Sequence, residues 1–183
     1  MDAMRDTFLD ELRESVRTIP NFPIEGIMFR DITPVLSKPG LLEKVTDQFV
    51  MDLEKLGWVP DLIVGPEARG FIFGPLLAER LGIGFVPVRK PGKLPGETRR
   101  VEYTLEYGTN VLEMHIDAIN AGQKVVIIDD LLATGGTIAA CSELCHSAGA
   151  DVLGSLFLIE LDGLDARSTI APLHAHALLE FSA

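Results

Sequence analysis

The chain has 183 residues, with 16 Lys and Arg against 27 Asp and Glu, a net charge of −11. This length suits one α/β domain with a sizeable core, and the acidic balance repels phosphate backbones, arguing against nucleic acid or anionic membrane as partners. No stretch approaches the roughly 20 apolar residues of a membrane span and the N-terminal segment MDAMRDTFLDELRESVRTIP has no apolar signal core, so a cytoplasmic location is expected.

Residues 5–18 place Phe8, Leu9, Leu12 and Val16 on one face among charges, which predicts an amphipathic helix packing as an N-terminal arm. The segment IPNFPIEGIMFRDITPVL (19–36) is punctuated by Pro20, Pro23, Gly26 and Pro34 yet rich in large apolar residues. It reads as an ordered covering segment without regular structure. A helix is expected from Pro39 to about Leu56, with Leu42, Val45, Phe49, Leu53 and Leu56 at spacings of three and four.

Further on, DLIVG (61–65) is an apolar run that ends in the loop PEARG, before a helical stretch from Phe71 to Leu81. IGFVPVR (83–89), KVVIID (124–129), ADVLGSLFLIEL (150–161) and HAHALLEF (174–181) read as strands, and Thr137 to His146 as a helix. Apolar strands alternating with helices predict one α/β domain over 1–183, with a mostly parallel twisted sheet flanked by helices. Ligands in such sheets collect beyond the carboxyl ends of the strands. Three loops open there, at 65–70, 89–101 and 129–137.

The third loop lies within VVIIDDLLATGGT (125–137). Hydroxyls of Thr134 and Thr137 and backbone N–H groups of Ala133, Gly135, Gly136 and Thr137 stand at the start of a helix, a combination that binds one phosphate. No Gly-Lys-Ser/Thr follows, which excludes a triphosphate loop, and the GIG at 82–84 precedes a strand, which excludes a dinucleotide fingerprint. Asp129 and Asp130 suit vicinal hydroxyls as hydrogen-bond acceptors. A ribose 5-phosphate satisfies both ends; a bare glycine turn is the plainer reading of the loop.

Arg89, Lys90, Lys93, Arg99 and Arg100 concentrate basic charge in an acidic chain, interrupted by Pro91, Gly92, Pro95 and Gly96. Local capture of a polyanion by a mobile lid over 89–107 is expected, with a solvated charge run as the alternative. Cys141 and Cys145 lie four apart and read as buried apolar residues, while His174 and His176 lack a third partner for a metal.

VVIIDDLLATGGT resembles the PRPP (phosphoribosyl pyrophosphate) motif of the type I phosphoribosyltransferase family. NFPIEGIMFRDITPVL, EARGFIFGPLLA, VRKPGKLPGET and YTLEYG are similar to its adenine-specific members, over roughly residues 19–160. The resemblance implies the type I phosphoribosyltransferase fold with residues 1–36 as arm and base-covering hood. It also implies transfer of a phosphoribosyl group from PRPP to N9 of adenine, giving AMP and pyrophosphate. Asp129 and Asp130 would hold the ribose diol, and Ala133, Thr134, Gly135, Gly136 and Thr137 the 5′-phosphate. Glu67, Ala68 and Arg69, with a cis peptide between the first two, would hold pyrophosphate together with Arg89, Lys90 and Lys93. Backbone groups around Met28 would read adenine, with Arg30 beside it and Phe29 and Leu131 as walls. Glu106 would be the catalytic acid/base residue. The family's Mg²⁺ is bound through substrate and water, with no residue assigned as a direct ligand, and a homodimer is implied. Another purine substrate, or a PRPP-sensing regulator on the same fold, remains open at this point.

Overall fold

The computed structural model describes residues 2–105 and 108–183. From the N-terminus the elements are α1 (Asp2–Ser15), β1 (Arg17–Pro20), β2 (Met28–Asp31), α2 (Thr33–Ser37), α3 (Leu41–Leu56), β3 (Leu62–Pro66), α4 (Gly70–Leu81) and β4 (Gly84–Val88). They continue with β5 (Thr98–Leu105), β6 (Gly108–His115), β7 (Lys124–Leu132), α5 (Gly136–Ser147), β8 (Asp151–Asp162), α6 (Ala166–Ile170) and β9 (Ala175–Ser182).

The apolar runs form the centre of the molecule. Five strands in the order β4-β3-β7-β8-β9 make a sheet in which every neighbouring pair is parallel. Successive side chains on a strand face opposite ways, so Val125 and Ile127 enter one core and Val126 and Ile128 the other. The first core is closed by Ile138, Cys141, Leu144 and Cys145 of α5, with both cysteines free and buried as expected. Leu12 of α1, Phe49 of α3 and Phe73 of α4 close the second. Burial on both faces explains why these strands read as continuous rather than alternating apolar runs.

Three expectations need correction. The punctuated segment 19–36 does contain regular structure: β1 and β2 form an antiparallel ribbon with Pro20 opposite Met28, followed by the short helix α2. Proline is tolerated there because a two-stranded ribbon leaves each strand an edge. The arm helix stops at Ser15, so Arg17 begins a strand rather than extending the helix to 18. The helix expected from Pro39 starts at Leu41, since Gly40 takes the N-cap position with φ of 77°.

The segment 89–107, expected as a mobile lid, is also partly regular. β5 and β6 pair antiparallel with Arg100 opposite Glu113, and this hairpin packs Val101, Leu112 and Met114 into the first core. Glu106 and Tyr107 lie outside the described residues.

Candidate active site

At the carboxyl end of β7 the chain passes from the core to the loop at 133–135 that precedes α5. Gly135 is the N-cap with φ of 86°, and a Cβ there would lie 2.9 Å from the Ala166 carbonyl oxygen and from a methyl of Ile170. Both the backbone conformation and the close passage of α6 require glycine. Asp129, Asp130, Leu131, Ala133, Thr134, Gly135, Gly136 and Thr137 line one cavity of about 180 Å³ with Arg69. The structure thus brings together all seven of the residues proposed for ribose and phosphate. Tyr103 of β5 reaches this loop, its hydroxyl 3.4 Å from Thr137 Oγ1.

Asp130 is 4% exposed and pairs with Arg69 Nε. Asp129 accepts the backbone N–H of Asp130 at 2.9 Å. Burial pushes both carboxyls above the usual carboxylate range; for Asp129 the neighbouring Asp130 charge adds to it, whereas for Asp130 the Arg69 guanidinium opposes the rise. Two acids in contact titrate as a pair. The pair therefore resists carrying two negative charges, and a bound cation or hydroxyl donor favours the ionised form.

β3 leads into the second loop, where the Glu67–Ala68 peptide is cis, as the resemblance implies. Gly70 then starts α4 so close to β7 that a Cβ would lie 2.9 Å from the Ile128 carbonyl oxygen. Ala68 and Arg69 are exposed above the sheet. Arg89 donates from Nε to Glu67 Oε2 at 2.7 Å and from Nη1 to the Lys93 carbonyl at 3.1 Å. Lys90 and Lys93 are exposed. Glu113, 1% exposed and unmarked in the sequence reading, accepts the Gly92 N–H at 3.2 Å and lies 2.8 Å from Arg100 Nε.

A second cavity of about 450 Å³ abuts the first, sharing Arg69 and Asp130 with it. Ile19, Phe22, Phe29 and Arg30 from the hood form one wall, with Leu36 and Ile72 also contributing. Phe22 packs edge-on against Phe29, centroids 5.1 Å apart. Asp31, also lining the cavity, is held down at about 2 by hydrogen bonds from Thr33 and then from Arg17. It is an ionised acceptor at neutral pH.

Not every expected wall is there. Leu131 lines the cavity over Asp129–Thr137 rather than the aromatic one, because it stands beyond Asp130 at the end of β7. Met28 is 39% exposed and outside the cavity lining. Phe22 escaped the sequence reading because it sits beside Pro23, where punctuation concealed its pairing with Phe29; the large apolar content of that segment was its only signal. His176 Nε2, on β9, lies 2.8 Å from Asp52 Oδ2, whereas His174, expected in the same strand, precedes its first residue.

A family model described as the phosphoribosyl transferase domain matches residues 33–178. An adenine phosphoribosyltransferase of Francisella tularensis subsp. tularensis is 49% identical over 94% of this chain and 99% of its own length. The crystal structure of adenine phosphoribosyltransferase from Thermoanaerobacter pseudethanolicus superposes with a TM-score of 0.91 at 52% identity, over 94% of this chain and 99% of the other. That from Saccharomyces cerevisiae, complexed with an imino-altritol bisphosphate and adenine, gives 0.91 at 46% identity, over 95% and 99%.

Proposed function

The chain belongs to the phosphoribosyltransferase family, and from that premise we infer that it is an adenine-specific enzyme of purine salvage. It transfers the phosphoribosyl group of PRPP to N9 of adenine, giving AMP and pyrophosphate. The observation that carries this reading is the juxtaposition of the Asp129–Asp130 phosphate-loop cavity with an aromatic-walled cavity. Its size and lining suit a planar base beside a sugar phosphate.

In the reaction the C1′–O bond to pyrophosphate breaks, the C1′–N9 bond forms and the N9 proton leaves. The 5′-phosphate lies on the backbone N–H groups and hydroxyls of Ala133 to Thr137, at the positive end of α5. Asp129 and Asp130 hold the ribose 2′- and 3′-hydroxyls, which fixes C1′ toward the aromatic cavity. Phe29 stacks on adenine. Ala68, Arg69 and the basic residues Arg89, Lys90 and Lys93 receive pyrophosphate as its charge grows, with Glu67 orienting Arg89. Glu106 is assigned the acid/base role toward the purine ring.

Among the described residues no three His, Cys, Asp or Glu side chains gather as a metal site. The two adjacent carboxylates fit Mg²⁺, an ion that keeps several waters and shares substrate oxygens. When bound, it supplies charge neutralisation for pyrophosphate. A homodimer and a cytoplasmic location belong to the same reading, supported by the family resemblance; no described helix is long and apolar enough to cross a membrane.

The test is to mix the purified protein with PRPP, Mg²⁺ and each of adenine, hypoxanthine and guanine, and to measure nucleotide formed. AMP from adenine, with far slower turnover of the 6-oxo purines, is expected. Equal turnover of hypoxanthine removes the adenine assignment.

A further inference from the structure

The hood is a ribbon of two four-residue strands, hydrogen-bonded to each other and separate from the central sheet. A two-stranded ribbon of that length is marginal by itself. It nevertheless has to present Phe29 and Arg30 to the base cavity at fixed height. Something outside it must set its position.

Val16 and Ile32 anchor its two ends in the second core, and a further tether lies at the opposite end of the chain. β9 is an edge of the central sheet, and its outer carbonyls are open to donors. Arg13 of α1 donates to the Glu180 carbonyl at 2.8 Å, and Arg30 of the hood donates to the Ser182 carbonyl at 2.9 Å. Between these residues stands Phe181. The Arg13 guanidinium lies 5.0 Å from the centre of its ring and that of Arg30 4.7 Å, both within cation–π range. Arg30 is held from the hood side as well, by donation to Thr18 Oγ1 at 2.6 Å. Its guanidinium thus spans β1, β9 and the Phe181 ring.

We propose that Phe181 is a positioning residue for adenine recognition, acting through Arg30: the ring, held by the arm and hood arginines, sets the hood height over the base cavity. Phe181 itself is not part of the cavity lining, so its effect reaches adenine only through the ribbon. The proposal rests on adenine being the occupant of that cavity. It assigns the last strand a part in base affinity and none in PRPP binding, whose residues lie on the other loops.

Two full-length variants separate the clamp from simple apolar packing. Phe181→Leu keeps an apolar side chain and loses the π-face, whereas Phe181→Tyr keeps the face. The Leu variant should raise KM for adenine about fivefold, the loss of one modest cation–π contact, with KM for PRPP within about twofold of wild type. Tyr should restore wild-type values. Amide hydrogen exchange over residues 17–31 in the free protein should be faster for Leu and unchanged for Tyr, and this readout does not depend on turnover. Wild-type adenine KM and wild-type exchange in the Leu variant overturn the clamp, as does an equal rise in both KM values. Wild-type protein that makes no AMP overturns the functional reading instead, and the exchange measurement alone then decides whether Phe181 holds the ribbon.

Discussion

Arg69 and Asp130 are paired across the seam between the two cavities, and both residues line both of them. The loop after β3 is thereby joined to the end of β7, so the two cavities share one charged wall. Asp130→Asn preserves shape but removes the charge that orders Arg69 and weakens the bond to a ribose hydroxyl. A hydrogen bond to a charged group contributes roughly 1.5 to 3 kcal/mol, so kcat/KM for PRPP should fall about tenfold or more. Initial rates with PRPP varied at saturating adenine check this. An unchanged value would leave the carboxylate a structural group.

Asp129 carries a stability consequence with a definite sign. Its carboxyl is pushed from 3.8 up to about 8 by burial and by Asp130. A carboxyl raised in the folded state contributes stability that is complete below its unfolded pKa of about 4 and is lost as pH rises through the folded value. The ligand-free protein should therefore lose stability between about pH 5 and pH 8, and Asp129→Asn should flatten that decline. At pH 8 the variant should melt above wild type, and at pH 5 close to it, while PRPP turnover falls at both. Thermal melts at the two pH values in EDTA are the measurement. A variant that melts below wild type at pH 8 contradicts the assigned charge stress.

Phe29 touches the base cavity and packs on Phe22. Phe29→Ala should raise KM for adenine by roughly tenfold, since loss of an aromatic contact adds to loss of buried area. KM for PRPP should stay near wild type. If PRPP suffers more than adenine, the ring is a wall of the sugar site.

The parallel sheet was legible because strands buried on both faces carry uninterrupted apolar residues, as in VVIID and GSLFLIEL. The turn between β7 and α5 was legible because paired glycines after an apolar run mark a strand-to-helix loop. The segment 19–36 was legible as an ordered cover from its apolar content, but its ribbon was not, since Pro20, Pro23 and Gly26 mask strands of only four residues. β5 was hidden by the charge of TRRVEYTL, which alternates as a strand does but reads locally as a solvated loop. Contacts distant in sequence left no local mark. Neither Glu113 beneath Gly92 and Arg100 nor Phe181 between Arg13 and Arg30 is signalled by its neighbours in the chain.

Gly135 tests the phosphate loop. Its positive φ disfavours any side chain by roughly 1 to 2 kcal/mol, and a Cβ would also press on the Ala166 carbonyl. Gly135→Ala should lower the melting temperature by several degrees and raise KM for PRPP more than KM for adenine. Melting and steady-state kinetics together check it. Wild-type affinity for PRPP in a destabilised variant would separate the loop from the 5′-phosphate.

Several contacts pin the 89–107 segment proposed as a lid. Glu113 holds Gly92 on one side and Arg100 on the other, and Arg99 and Arg100 lie in a paired strand. The stretch between them is held as well, with Arg89 Nη1 donating to the Lys93 carbonyl, His115 Nε2 2.8 Å from the Pro95 carbonyl and the Ile116 N–H donating to the Glu97 carbonyl, so a lid excursion has these bonds to break in this stretch. Of the basic residues flanking it, Lys90 precedes Pro91, a bond trypsin leaves intact, whereas Lys93 is exposed and precedes Leu94. In the free protein trypsin should cut first after Lys93, as at an exposed loop tip, and the strand residues Arg99 and Arg100 should resist. Closure over the reacting sugar excludes water before chemistry, and only PRPP presents the polyanion that draws the basic loop down. PRPP with Mg²⁺ should slow the cut after Lys93, and adenine alone should not. Mass spectrometry of the early fragments identifies the site. Cleavage at equal rates with and without PRPP, under conditions where PRPP is bound, would make these lysines solvated surface rather than a substrate-gated cover.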